Sequence, residues 1–305
     1  MVKEFLLGDN PFIGVSHLAQ EKGRQEVKEA VLERKVEVVR KALEGGATGF
    51  TFSTHPANLK LLRYLRDNHK DVVHRLNYYI LVPYAAMYIR EANIQGSLGL
   101  VKRLFKNIAK VDPIESVSML LTANLNKAIT LFLKYELKPY LKILPQHKIK
   151  AVLLHEIITE PAVAFELNDL IEETRKYVER EIGVAFGLET RNIGHLRRYL
   201  TKNHIRVDYI MTPLNPLGYQ MSPSKDIAEK AIKQLGFRGM KIIAINILAS
   251  GAISLDEAMR YLIKFKNTIF AVTSASIRPD RILSNFKKLS RIYCISNCHD
   301  ADSKS

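Results

Sequence analysis

The stretch from Val207 to Ile247, VDYIMTPLNPLGYQMSPSKDIAEKAIKQLGFRGMKIIAINI, contains one strand–helix–strand unit. Tyr209–Pro213 and Ile242–Ile247 are short apolar runs without polar alternation, which is typical of strands covered on both faces. Lys225–Leu235 lies between them and carries apolar residues at helical spacing. A strand, a helix and a second strand in this order predict two parallel strands joined by a helical crossover.

The same alternation runs along the rest of the chain. Further strands are predicted at Glu4–Leu7, Gly49–Ser53, Asn77–Val82, Ala151–His155, Gly183–Gly187 and Ile269–Thr273. Further helices are predicted at Arg34–Glu44, Asn58–Asn68, Glu166–Glu181, Ile193–Lys202, Leu255–Phe265 and Pro279–Leu289. Eight such units predict a single α/β domain over residues 1–305, a (β/α)8 TIM barrel. An open doubly wound sheet is the alternative, but the Gly-x-Gly-x-x-Gly turn that it usually carries after its first strand is missing.

Two regions depart from this alternation of strands and helices. Residues 83–150 form a helical insertion between strands three and four, with helices predicted at Leu98–Ala109, Ile114–Asn124 and Lys127–Leu144. The insertion would be a lid over the barrel mouth or a surface for homo-oligomer assembly, or else a longer helical layer on the barrel wall. The polar tail at 293–305 is predicted to be flexible.

Composition narrows the class of protein. With 47% hydrophobic and 25% charged residues, the 305-residue chain suits a globular protein with a large core. A net charge of +15 favours an anionic small molecule or nucleotide as partner, although a thermophile-like, Lys/Arg-rich surface would give the same charge. No zinc-finger or aromatic-plus-basic signature is present, so nucleic acid is not expected.

The compartment is predicted from the same composition. The chain has only two cysteines, which excludes a disulfide framework. It has no apolar run of about 18 residues and no signal peptide. We therefore expect a cytoplasmic protein that does not enter the membrane.

Enzymes of this fold place their reacting groups where the strands end. His155 is the strongest candidate, because it closes the apolar run Ala151–Leu154 and could act as an acid, a base or a hydrogen-bond donor. The other catalytic candidates at strand ends are Asp9, Ser53, His55 and Glu189. Further polar residues at strand ends are Asn10, His17, Thr54, Tyr84, Glu156, Thr190, Arg191, Thr212, Asn215, Asn246, Thr273 and Ser274.

Two groups of residues could bind a metal. The first comprises His and carboxylate side chains at strand ends, and the second lies in the C-terminal tail. Neither has the spacing of a recognised metal motif, so we expect no metal. The first group is Asp9, His17, His55, His155, Glu156 and Glu189, and the second is Cys294, Cys298, His299, Asp300 and Asp302.

The last βα unit predicts a phosphate site. Ser276 precedes a helix that begins near Pro279, and Arg278 and Arg281 flank its first turn. Backbone N–H groups, the helix dipole and two guanidinium groups would converge there. Ser250-Gly251, after strand seven, adds a small-residue loop beside it. Ordinary helix capping with surface arginines is the alternative.

These residues carry a resemblance to the aldo/keto reductases. Residues 279–286, PDRILSNF, resemble the family's Pro-Glu-Arg-Ile-x-x-Asn-Phe segment after strand eight. The resemblance implies that Arg281 and Asn285 bind the adenosine phosphate end of NADPH, and that NADP is the cofactor. It also implies that His155 is the family's catalytic His. Similar segments are IIAINILASGAI at 242–253, VDYIMTPLNPL at 207–217 and Gly183-Val184 with Leu196 and Leu200.

The sequence departs from the family at the other catalytic positions. Ser53 stands at the family's catalytic Asp, Asn58 at its proton-donating Tyr, and Leu81-Val82-Pro83 at its strand-three Lys. Ala185-Phe186 takes the place of the Ser-Asn pair that holds the nicotinamide amide, and Ala275 that of the Lys that grips the 2′-phosphate. Without the Tyr, standard carbonyl reduction lacks its acid.

Three functions remain open. The first is a small-molecule enzyme, in its most concrete form a divergent NAD(P)-dependent oxidoreductase, in which Glu189 or Asp9 replaces the lost carboxylate. The second is a metal-dependent lyase, isomerase or hydrolase. The third is a barrel that binds a ligand without catalysis.

Overall fold

The computed structural model describes residues 2–13, 31–84, 107 and 125–302, with backbone alone for 125–128 and 292–302. Eight parallel strands pair in chain order, and β8 pairs with β1, so the sheet closes into a barrel. The predicted (β/α)8 fold is confirmed. The strands are β1 (Glu4–Gly8), β2 (Gly49–Ser53), β3 (Asn77–Val82), β4 (Ile149–Leu154), β5 (Ala185–Glu189), β6 (Tyr209–Pro213), β7 (Lys241–Ile245) and β8 (Ile269–Ser274).

Helices cover the outside of this barrel. They are α1 (Asn10–Ile13), α2 (Leu32–Glu44), α3 (Pro56–Asn68), α4 (Lys70–Arg75), α5 (Leu125–Leu141), α6 (Glu156–Ala164), α7 (Asn168–Lys176), α8 (Ile193–Lys202), α9 (Lys225–Phe237), α10 (Leu255–Leu262) and α11 (Pro279–Asp302). Ser254 caps α10 by accepting a hydrogen bond from the Glu257 amide. None of the helices in the described residues is long and apolar enough to cross a membrane.

Alternation along the strands determines which side chains reach the barrel interior. An inner cluster that includes Leu6, Leu81 and Met211 fills the barrel, while a larger cluster packs between the strands and the helices. Residues in register on neighbouring parallel strands point to the same side. Ser53 is opposite Leu81, Glu189 is opposite Met211, and Thr273 is opposite Leu6. These three polar side chains therefore face the interior at the end where the strands stop.

The structure corrects the predicted boundaries around β5. The predicted helix Glu166–Glu181 is α7 followed by a π-helical turn, Tyr177–Ile182, and a helix that was not predicted, α6, precedes it. Gly183 ends the π turn in the left-handed region, with φ +76°, so β5 begins at Ala185 and not at Gly183. The strand consequently ends at Glu189.

The other differences lie in the insertion and at the end of the chain. The predicted helices at 98–109 and 114–124 fall outside the described residues except for position 107. The third lies at α5, where Leu133 and Leu137 are fully buried in the core. The backbone of α11 continues as a helix through Asp302, where the sequence predicts a flexible tail from residue 293.

Candidate functional site

Asp9 lies directly after β1 and is buried. Its Oδ2 accepts hydrogen bonds from the Ser53 amide at 2.9 Å, the Ser53 hydroxyl at 2.7 Å and the Asn58 side-chain amide at 2.6 Å. Burial raises the pKa of the Asp9 carboxyl, and the bonds from Ser53 and Asn58 oppose that rise. The carboxylate that follows β1 therefore bonds to both Ser53 and Asn58, the residues that the resemblance sets against the Asp and Tyr of the aldo/keto reductases.

His155 is the first residue after β4 and caps α6. Its amide continues the sheet by donating to the Val82 carbonyl at 2.8 Å, while its Nδ1 accepts from the Ile157 amide at 3.2 Å. An imidazole that accepts at Nδ1 carries its proton on Nε2 when neutral. Burial lowers the pKa of His155, so the ring is neutral near pH 7. His155 is therefore a hydrogen-bond donor through Nε2.

Glu189 ends β5 and faces this donor. Its Oε2 lies 3.8 Å from His155 Nε2 and accepts from the Glu156 amide at 3.3 Å. The side chain is only 9% exposed, and burial raises its pKa to about 7. A carboxyl with that pKa is present in both protonation states at neutral pH, as acid–base catalysis requires.

A network of charged groups surrounds this pair. Arg191 Nε donates to Glu156 Oε2 at 2.6 Å, while Glu160 Oε1 accepts from the Arg191 amide at 2.9 Å. Burial and the neighbouring Glu189 raise the pKa of Glu156, which Arg191 opposes. The charge of Asp9 acts on both His155 and Glu189, raising their pKa values. The ends of β1, β4 and β5 thus form one electrostatic unit.

His55 caps the helix that follows β2, as His155 caps the helix that follows β4. Its Nδ1 accepts from the Ala57 amide at 3.0 Å and caps α3, and its ring meets the Tyr84 ring edge-on at 4.6 Å. Through these contacts, His55 stabilises the start of α3. Its neighbour Thr54 donates to the buried Glu136 of α5 at 2.6 Å, which ties the insertion to the mouth.

The described members of the candidate metal-binding groups are not arranged as a metal site. Across residues 2–13, 31–84, 107 and 129–291, where side chains are described, no three His, Cys, Asp or Glu side chains are grouped as the ligands of a metal ion. His17 and the side chains of Cys294, Cys298, His299, Asp300 and Asp302 lie outside these ranges.

The loop after β7 is left-handed. Ala249, Ser250 and Gly251 have φ values of +45°, +63° and +90°. Residues other than glycine rarely adopt this conformation, and such strain is concentrated at functional sites. The predicted small-residue loop is therefore present, with Ser250 half-buried and Gly251 exposed.

After β8, the predicted phosphate residues lie at the start of α11. The Ser276 hydroxyl accepts from the Arg278 amide at 3.1 Å, and the buried Asn285 donates to the Ser274 hydroxyl at 3.1 Å. Arg278 and Arg281 are exposed, and no described side chain pairs with either guanidinium. Ser276 therefore holds the turn that precedes α11, next to two guanidinium groups without an ionic partner among the described side chains, which we call the arginine pair.

Strand five begins with the two residues that the resemblance sets against the family's nicotinamide-binding Ser-Asn pair. Ala185 and Phe186 begin β5, and Phe186 is fully buried. Glu189 ends the strand, and Thr190 follows it. Thr190 is buried and donates to Glu160 at 3.2 Å.

Two residues of the site were not singled out from the sequence. Asn58 was noted only as a replacement for the family's Tyr, and its bond to Asp9 depends on how β1 and β2 pair. Glu160 lies on α6, whose internal Pro161 argues against a helix in the sequence. Its spacing of four residues from Glu156 is the signal that could have found it.

Comparisons with solved structures agree with the fold. An aldo-keto reductase of Pseudomonas aeruginosa matches at a TM-score of 0.57 and 14% identity, over 96% of this chain and 91% of that one. The holo form of an aldo-keto reductase of Bacillus halodurans matches at 0.54 and 13%, over 94% and 87%. A Bombyx mori aldo-keto reductase in complex with NADP matches at 0.50 and 12%, over 93% and 83%.

No family model and no curated protein matches the sequence. Identities of 12–14% over nearly the whole chain speak to the fold alone. The closed eight-stranded barrel and these neighbours together identify the chain as a divergent TIM barrel with the fold of the aldo-keto reductases.

Proposed function

We propose that this chain is a small-molecule enzyme that performs acid–base chemistry at the barrel mouth on a ligand bearing a phosphate. The observation that carries the proposal is the buried pair of His155 and Glu189, whose Nε2 and Oε2 atoms lie 3.8 Å apart. Two neighbouring buried groups whose pKa values are displaced in opposite directions are typical of a catalytic acid and base.

The two side chains have different roles in this proposal. His155, neutral and protonated on Nε2, donates a hydrogen bond to an oxygen of the substrate and polarises it. Glu189 exchanges the proton with the substrate, because its carboxyl is available in both forms near pH 7. Asn58 has no proton to exchange, so the role of the family's Tyr passes to Glu189.

The phosphate would lie between the loops after β7 and β8. The exposed guanidinium groups of the arginine pair at the start of α11 support this position. Arg281 and Asn285 fit the adenosine phosphate end of NADP. The resemblance sets Ala185-Phe186 against the pair that holds the nicotinamide amide, so the residues fit NADP at its phosphate end alone. If NADP binds, it supplies hydride transfer, and the chain acts as an oxidoreductase.

A thermal-shift experiment tests the phosphate site. NADPH, NADH and inorganic phosphate are added to the wild type, to Arg281→Ala and to Arg260→Ala, which removes an exposed arginine on α10. A ligand at 100 times its Kd stabilises a protein by about 2.7 kcal/mol. We expect NADPH to stabilise the wild type and Arg260→Ala by several degrees and Arg281→Ala by much less.

The same experiment separates the alternatives. If inorganic phosphate raises the melting temperature of the wild type but NADPH does not, and Arg281→Ala abolishes the effect, the phosphate site is supported and NADP is ruled out as its ligand. Equal stabilisation of all three proteins would contradict the site. For catalysis, a substrate turnover that survives unchanged in both His155→Ala and Glu189→Gln would rule out the acid–base pair.

A further inference from the structure

One face of α9 exposes large apolar side chains next to charges of both signs. Phe237 is 78% exposed and Ile227 is 49% exposed. Exposed apolar side chains are common on protein surfaces, so the charges beside them have to indicate the partner. Six residues lie within about 120° of the helix circumference, and we call them the α9 face: Asp226, Ile227, Lys230, Gln234, Phe237 and Arg238. Four of the six line one groove of about 320 Å³: Asp226, Lys230, Gln234 and Phe237.

The two ends of the α9 face carry opposite charges. Asp226 lies in the first turn of α9, and Arg238 directly follows its last residue. Neither forms an ion pair with a described side chain, and Arg238 donates instead to the Thr201 hydroxyl at 2.7 Å. The face therefore has a negative end and a positive end, which are about 18 Å apart along the helix. Both charges are exposed to a second molecule.

These two ends are complementary to each other under a two-fold axis. When two identical helices pack antiparallel, an axis at the level of Ile232 sets each residue opposite the one equally far beyond Ile232 in the second copy. Asp226 then faces Arg238 of the second copy. Ile227, by the same rule, faces Phe237 of the second copy. Since the axis repeats each contact, the α9 face binds to itself through two ion pairs and two apolar contacts.

The lysines of α9 are compatible with the same arrangement. Lys230 falls opposite Gln234 of the second copy, which is uncharged and does not repel it. Lys233 is turned toward the segment after α10, because its Nζ lies 5.0 Å from the centre of the Phe265 ring. An axis moved half a residue toward the N-terminus would set Lys230 against Lys233 of the second copy. The charges therefore favour the axis at Ile232 over this neighbouring register.

We propose that the α9 face is the interface of a homodimer, in which α9 of one copy packs antiparallel against α9 of the other. A contact one helix long is at the low end of specific interfaces, so we expect a Kd on the order of 10 μM. This surface differs from the insertion at residues 83–150. It includes no residue of the barrel mouth, so the inference does not depend on the proposed function.

Charge reversal at the two ends tests the proposal. Analytical ultracentrifugation measures the Kd of the dimer between about 1 and about 300 μM protein. Asp226→Arg sets two positive charges against each other, and Arg238→Asp sets two negative charges against each other. Like charges in contact oppose binding, so each variant should raise the Kd by about ten-fold or more. The double variant Asp226→Arg/Arg238→Asp restores opposite charges and should restore the dimer.

A mixture of the two single variants tests the two-fold axis itself. Each variant alone should be weakened, but Asp226→Arg mixed with Arg238→Asp should form heterodimers, because opposite charges then meet at both ends of the pair.

A pair of phenylalanine variants tests the apolar contact. Phe237→Ser should raise the Kd by about ten-fold or more, because a buried apolar side chain is lost. Phe165→Ser, at a 76% exposed position that caps the end of α6, should leave the Kd unchanged. A wild type that stays monomeric over the whole concentration range would overturn the proposal. A dimer whose Kd is unaffected by both charge variants would overturn it as well.

Discussion

At the scale of the residue, Asp9 links the end of β1 to the end of β2 and the start of α3. Its Oδ2 accepts three hydrogen bonds, two of them from Ser53. We expect Asp9→Ala to destabilise the protein by about 3 kcal/mol, because a buried amide and hydroxyl lose their partner. Ser53→Ala should cost about 1 kcal/mol, because the backbone bond remains.

Urea denaturation of both variants and of the double variant measures their coupling. The free-energy losses should not add, since the Ser53 hydroxyl has no acceptor to lose once Asp9 is gone. Simple additivity would mean that the two side chains do not depend on one another.

The buried carboxyl of Glu189 leads to a second prediction, about how the stability of the protein depends on pH. Its folded pKa of about 7 lies above the ordinary value of 4.5. The stability that this group contributes is therefore fully present below about pH 4.5 and is lost as the pH rises through 7. Glu189→Gln cannot ionise, so between pH 5 and 8 it should lose less stability than the wild type, by on the order of 2 kcal/mol.

Denaturation at pH 5, 6, 7 and 8 checks this difference. Asp9 has a raised pKa too and contributes in the same direction, so the quantity to compare is the difference between variant and wild type. As a control, Glu173→Gln makes the same chemical change at an exposed position of α7 and should show the same dependence of stability on pH as the wild type. Parallel profiles for all three proteins would show that Glu189 is ionised in the folded protein from pH 5 upwards.

Much of the site at this scale could be predicted from the sequence, because a strand's end is visible as the end of an apolar run. Asp9, Ser53, His155 and Glu189 were all placed at strand ends in this way. The bonds from Asp9 to Ser53 and Asn58 could not be predicted, since they depend on the register of β1 against β2. The tautomer of His155 likewise depends on its capping bond to Ile157, at the start of a helix that was not predicted.

At the scale of the element, the left-handed turn after β7 leads to a third prediction, about the stability of two glycine variants. Ser250 has φ +63°, which costs a residue with a Cβ about 1 kcal/mol or more. Ser250→Gly should therefore stabilise the free protein by about 1 kcal/mol. Ala252 has φ −71°, so Ala252→Gly should destabilise it by a similar amount.

Thermal denaturation of both variants measures the two effects. Under the proposed function, Ser250→Gly should also weaken stabilisation by phosphate ligands, because its hydroxyl is lost. A Ser250→Gly protein that is less stable than the wild type would show that the hydroxyl contributes more than the strain costs.

Elements were predicted well where capping and apolar spacing agree, as in α8, whose bounds match the prediction. Prediction failed between β4 and β5, where a proline lies inside α6 and a π turn lengthens α7. Both features contradict the local signals on which boundaries depend, and the surrounding packing overrides them.

At the scale of the whole molecule, the last helix, α11, packs against the first long helix, α2, and so completes the layer of helices around the barrel. Gly45 ends α2, and a Cβ added there would lie 2.8 Å from the Leu283 carbonyl oxygen and 2.8 Å from the Phe286 Cβ of α11. We expect Gly45→Ala to cost about 1–3 kcal/mol, because backbone must move. Glu44→Ala, at the neighbouring exposed position, should change stability by less than about 0.5 kcal/mol.

Denaturation and the near-ultraviolet circular dichroism of both variants check this prediction. A Gly45→Ala protein as stable as the wild type would mean that α11 can shift away from α2 without loss. The fold itself was predictable at this scale, since eight repeated units leave few other architectures.

The pairing of β1 with β8 has a consequence for synthesis. As the chain leaves the ribosome, β1 finds β2 early on one edge, but its other edge has no neighbour until β8 has been made. Every shorter nascent chain therefore presents two open strand edges, at which wrong pairing and aggregation begin. Completion of the last strand is what removes both edges in a single event.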